Sequence, residues 1–149
     1  MTFHTVTVCE SIAALDVNGV TIKDLAHVPP DATRLTPVLF PEPLKPLGNL
    51  VTTRMSFGGG SSALADAEYD LNYLFLYCPI GSGRTGLDYL ADRMKKINAI
   101  WDAILSVDIL EGAVDITLSG DVVWSDIADP AGNTYQGCSL TVHIKEFWR

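Results

Sequence analysis

Cysteine, histidine and basic residues are all scarce in this chain, and each scarcity removes a class of chemistry. Its three cysteines, Cys9, Cys78 and Cys138, are odd in number and show no CxxC spacing. Two lie in apolar, strand-like surroundings, where a free thiol behaves as a small hydrophobe, so a reducing assembly compartment is expected. The three histidines, His4, His27 and His143, form no HxH or HxxxH pair, and no metal site is expected. Ten Lys and Arg stand against eighteen Asp and Glu, and the resulting formal charge of −8 argues against a nucleic-acid binder that works by neutralising phosphates. No apolar run approaches the ~20 residues that span a bilayer. The first ten residues, MTFHTVTVCE, lack a basic stretch followed by a long apolar one, so neither a membrane span nor a cleavable secretion signal is expected.

What is abundant is apolar surface. Apolar residues make up 48% of the 149, charged residues 19%, and the mean hydropathy is +0.22. This is rich for a small monomer and points to a large core or to surface reserved for other subunits, of which the second is favoured. The length suits one domain spanning 1–149, which can bury roughly 70% of the surface its unfolded chain exposes.

The stretch from Thr85 to Leu105 places Leu87, Leu90, Met94, Ile97, Trp101 and Ile104 at alternating spacings of three and four, the stripe of an amphipathic helix. Thr85 with Asp88 resembles a capping box at its start. The opposite face carries Asp88, Asp92, Arg93, Lys95, Lys96 and Asn98. Just before it, Asp70 to Pro79 reads as an unusually apolar strand, of the kind that sits centrally in a sheet under a helix. Near the N-terminus the spacing of Val8, Ile12 and Leu15 predicts a helix, and Asn18-Gly19 predicts a turn.

Six of the eight prolines fall between Pro29 and Pro46, a density that predicts an extended arm over 28–48 and argues against helix or interior strand. Val38, Leu39 and Phe40 at its centre are too apolar for a solvated linker, so they pack on the chain's own domain or form an interface with a neighbour. Leu50 to Phe57 alternates as a half-buried strand. The glycine-rich loop 57–67 that follows, with Gly58-Gly59-Gly60-Ser61-Ser62, makes a hairpin with a long mobile tip that orders on docking. Phe57, Gly59 and Ser61 are its candidate contact residues. Ala113 to Ser119 and Leu140 to Ile144 alternate as strands, and Gly120 to Gly137 between them reads as a further hairpin turning at Asp129-Pro130-Ala131-Gly132. Trp124 and Tyr135 on that hairpin complete the candidate interface. After the long helix, three or four strands are therefore expected. The predicted fold class is α+β: a mainly antiparallel sheet packed by one long helix, with an N-terminal helix and a proline-rich arm.

No residue set carries catalysis. Gly81-Ser-Gly-Arg-Thr-Gly86 lies before a helix, where anions are attracted, but it has no Lys-Ser or Lys-Thr after the last glycine and departs from the phosphate-loop pattern. Ser61 and Ser62 have no GxSxG elbow, and Cys138 has no base near it in sequence. Asp66, Glu68 and Asp70 alternate along a strand, as a solvated face does. His143 lies on the strand face opposite Val142 and Ile144 and reads as a solvated or interface histidine. The chain is not expected to be an enzyme, and no cofactor is expected.

The layout resembles the tail terminator (tail completion) proteins of long-tailed bacteriophages. The features that carry the resemblance are length, an N-terminal helix, the Val28-Pro-Pro to Pro37-Val-Leu-Phe-Pro41 segment, the Tyr73-Leu-Phe-Leu-Tyr77 strand, the long helix and the closing hairpin ending Leu140-Thr-Val-His-Ile-Lys-Glu. The resemblance implies a structural virion protein in the tail or neck, assembled in the host cytoplasm. It would form a ring of six that caps the tail tube and meets the head-tail connector or stopper protein, with DNA passing through unbound. An acidic subunit suits such a conduit, because like charge keeps phosphates from being held. A different class, a small α+β ligand-binding or enzymatic domain with a pocket between the sheet and the proline arm, stands as the alternative. An adaptor that contacts one partner protein is a third.

Overall fold

Tyr69, Leu71, Tyr73, Phe75 and Tyr77 occupy every second position of one strand, and all five are buried on one face of it. β-branched and aromatic side chains suit a pleated surface covered by helices, and that row is the centre of the core. A computed structural model describes residues 4–24, 27–42, 52–57, 65–81, 89–109 and 114–148. In chain order the elements are α1 (Thr5–Ala13), β1 (Thr21–Ile22), α2 (Ala32–Leu35), β2 (Val38–Pro41), β3 (Thr52–Phe57), β4 (Ala65–Pro79), α3 (Leu90–Leu105), β5 (Val114–Ala128) and β6 (Thr134–Trp148). The strands form one six-stranded sheet in the order β1-β2-β4-β6-β5, with β3 also paired to β4. Among the described strands only the β1–β2 pairing is parallel, so the fold is α+β with a mixed sheet.

One face of the sheet carries the main core. Val8 and Ile12 of α1 and Ile97, Ile100 and Ile104 of α3 join Tyr69, Tyr73, Phe75 and Val142 in a single apolar cluster. The opposite face holds a smaller cluster of Ala32, Val38, Phe40, Leu76 and Tyr135, with Val28, Leu35, Leu74 and Ile127 packed against it.

Proline density did not keep the arm out of the sheet. Val38, Leu39 and Phe40 are fully buried in β2, between β1 and β4. Pro37 precedes β2 and Pro41 ends it, and Pro37 serves the ladder with its carbonyl: Thr21 N donates to Pro37 O at 2.9 Å, while Lys23 N donates to Leu39 O at 2.9 Å. Past Pro41 the ladder continues, with Glu42 N donating to Asn72 O at 2.7 Å and Asn72 Nδ2 donating to Glu42 O at 3.1 Å. A missing N–H costs nothing where the neighbour needs an acceptor.

Among the described residues two strands follow α3, where three or four were expected. β5 and β6 are each 15 residues long and pair from Val114 with Glu146 to Ala128 with Thr134. A bulge between Ser119 and Val123 lets Gly120 and Asp121 pass without ending the strand, which is why the glycine read as a break. The turn itself falls at Asp129 to Gly132, where Asn133 N donates to Asp129 Oδ1 at 2.8 Å and Gly132 takes a φ of 92°. Gly137 is fixed by close approach, because a Cβ there would collide with the Phe75 carbonyl oxygen. β4 begins at Ala65, five residues before the predicted start, and β3 pairs with that early part. The tip that joins them, 58–64, lies outside the described residues.

Candidate functional site

The predicted stripe of α3 is divided between two environments. Arg93, Ile97, Ile100 and Ile104 are the buried residues of the helix, whereas Leu90 is 46% exposed, Met94 43% and Leu105 53%. Trp101 is half-buried. The helix is thus turned relative to the expected face, by about one residue at Met94, whose place in the core is taken by Arg93. Arg93 was assigned to the polar side, yet its guanidinium lies 5.7 Å from the Tyr77 ring centroid and 5.9 Å from that of Trp124. Arginine can bury its stem and lay a flat cation on aromatic faces, so it substitutes for an apolar residue there. Leu87 and the Thr85–Asp88 cap lie outside the described residues.

The apolar flank left over faces solvent together with Ala91, Lys95, Asn98, Ala99 and Asp102, all exposed. In a chain of charge −8 this flank carries one base and one acid. It was not singled out from the sequence, because Leu90 and Met94 were counted as core while Lys95 and Asn98 were placed on the opposite, polar face.

The second surface is a strand edge. β5 ends the sheet, paired with β6 on one side. On its other side Ile109 forms a single bridge to Val114, and among the described residues no strand pairs with the rest of that edge. An open edge is a ready template for another chain. Asp115 and Asp126 and the bulge at Ser119/Val123 restrict which chain could join it.

The predicted interface residues fare unevenly. Val38, Leu39 and Phe40 are fully buried within the chain itself and cannot meet a neighbour as they stand. Tyr135 is buried too, its hydroxyl 2.8 Å from Thr33 Oγ1 and donating to Asp129 Oδ2 at 3.2 Å, so it ties the segment before β2 to the β5–β6 turn. Val38, Leu39 and Phe40 thus take the first of their two expected environments, packing on the chain's own domain, and Tyr135 lies in the interior. Trp124 is half-buried and meets Phe75 edge-on at 6.2 Å. Phe57 closes β3 opposite Ala65, and Gly59 and Ser61 lie outside the described residues.

Ionisable groups gather at two places. On the face opposite Tyr69 and Leu71, His143 Nδ1 is 2.7 Å from Asp70 Oδ1, and Nε2 is 3.6 Å from Glu68 Oε2. Lys145 adds a contact to Glu68 at 3.7 Å. Asp70 is opposite His143 and Glu68 opposite Lys145 in the ladder, so this is a row of cross-strand pairs on a half-exposed surface. The sequence reading noted the acids and the histidine separately; the register of β4 on β6 brings them together. The other place is buried. Glu146 is fully covered and accepts from His4 N at 2.7 Å and from His4 Nδ1 at 2.8 Å. Beside it burial pushes the Tyr69 phenol well above its ordinary range, with a Thr5 hydrogen bond opposing and the Glu146 charge adding to the rise.

The Cys9 and Cys138 thiols are poor nucleophiles where they lie. Burial pushes Cys138 up to about 12, and it raises Cys9 as well. Among the described residues no group of three His, Cys, Asp or Glu is placed to hold a metal ion. The Gly81–Gly86 turn is described only at Gly81, since 82–88 lie outside the described residues. A scan against protein-family models matches no family, and a search of curated proteins returns no match.

Proposed function

We propose that this chain is a structural virion subunit of the tail-terminator kind, which closes into a ring of six on the tail tube and offers a surface to the head-tail connector. The observation that carries the reading is the 15-residue β5, which ends the sheet with most of its outer edge unpaired among the described residues. A heterologous contact made by such an edge repeats around a ring, each subunit using one surface toward the next and another toward the last. The layout of the sequence supports the same reading. In it, the sheet packed by one long helix, with the N-terminal helix and the proline-rich segment, forms the subunit body. The charge of −8 lets DNA pass without being held. No helix among the described residues is long and apolar enough to cross a membrane, and the proposed place of action is the virion neck. The function would be binding geometry alone, without a cofactor or a reaction. The test is to incubate the purified protein with isolated phage tail tubes and to examine tube ends by negative-stain microscopy. Rings seated on one end support the proposal, and bare tubes beside free protein contradict it.

A further inference from the structure

We propose that the exposed flank of α3 packs antiparallel against α3 of a second copy, about a two-fold axis. The contact is separate from the ring contact, since a two-fold pairing joins two subunits, or two rings, and cannot by itself close a ring. At ~100° per residue the exposed flank follows a heptad: Asn98 and Leu105 fall at a, Met94 and Trp101 at d, and Lys95 and Asp102 at e. Met94, Lys95, Asn98, Asp102 and Leu105 are exposed, and Trp101 is half-buried beside them.

Charge decides both occupant and direction. Lys95 and Asp102 have no ion-pair partner among the described residues, and Asp92, the acid nearest Lys95 on its own helix, already bonds Tyr77 and Lys96. In an antiparallel pair, e positions face e positions, so Lys95 meets Asp102 of the second copy, and the two-fold axis makes the same pair again. The layers then set Met94 against Leu105 and Asn98 against Trp101 of the second copy. A parallel pair would set Lys95 and Asp102 against g positions held by the buried Ile97 and Ile104, leaving both charges without partners. A helix face with one acid and one base, placed symmetrically, fits itself in one orientation. In a strongly acidic protein, that balance is what allows two copies to approach.

The test is carbodiimide cross-linking of a mixture of heavy-nitrogen-labelled and unlabelled protein, with cross-linked peptides read by mass spectrometry. The expected product is an amide between Lys95 and Asp102 of different copies. Lys95→Asp and Asp102→Lys should each weaken self-association about tenfold by sedimentation, as two attractive pairs become repulsive. The double reversal should restore it. No Lys95–Asp102 link between copies, or a double reversal as weak as the singles, overturns the pairing. Rings that form normally without this link would reject the pairing and leave the ring reading intact. A link in a protein that never forms rings would do the reverse.

Discussion

His4 and Glu146, 142 residues apart in sequence, meet at one carboxylate oxygen, which takes the His4 amide at 2.7 Å and the His4 ring Nδ1 at 2.8 Å. His4 is the cap residue of α1, and no side chain of the helix itself caps its start. The last strand therefore closes the N-terminus of the first helix, where a carboxylate also suits the helix dipole. His4→Ala leaves a fully buried carboxylate with one hydrogen bond fewer, an expected loss of about 1–3 kcal/mol in a urea melt. Glu146→Gln keeps an acceptor for both donors and should cost less. Equal stability of His4→Ala and the wild type would contradict this role.

The orientation of α3 is tested by two truncations. Ile100 is fully buried against the sheet and Met94 is 43% exposed. Ile100→Ala should cost about 2–5 kcal/mol by opening a cavity. Met94→Ala should stay within about 0.5 kcal/mol in dilute protein, where no second copy covers it. Chemical denaturation of both variants checks the order; a larger loss at Met94 would restore the originally expected face.

The Tyr77 hydroxyl donates to Asp92 Oδ2 at 2.5 Å and holds that carboxyl below its ordinary 3.8, with slight burial opposing and Lys96 adding. A carboxyl whose folded pKa is lowered stabilises the fold above its ordinary value, and the contribution is lost as pH falls through the folded one. Asp92 is about half-exposed, so the effect is small. The stability gap between wild type and Tyr77→Phe should be constant near neutral pH and should shrink below about pH 4. A gap that does not change in acid would show that the bond is not to the ionised carboxyl.

Period was easier to read from the chain than phase. The apolarity of Asp70 to Pro79 made its strand legible but not which face is buried, since Leu74 and Leu76 are as apolar as the Tyr73, Phe75 and Tyr77 that join the main core, and Val8 and Ile12 gave α1. Phase failed in α3, because residue type assigned Arg93 to water while its guanidinium lies over Tyr77 and Trp124, a non-local fact. It failed again at β2, where the prolines were counted but the direction of the hydrogen bonds they would need could not be. Tyr135 was taken for an interface residue, and its partners Thr33 and Asp129 come from another element and from a turn. The acids Glu68 and Asp70 were visible, but their juxtaposition with His143 depends on the register of two strands about 70 residues apart.

The central claim is that the chain assembles into a closed ring. Native mass spectrometry of the purified full chain, raised well above micromolar concentration and repeated with tail tubes, tests it most directly. The account predicts a discrete species of six copies, in free solution or on the tubes. A strict monomer under both conditions would contradict it.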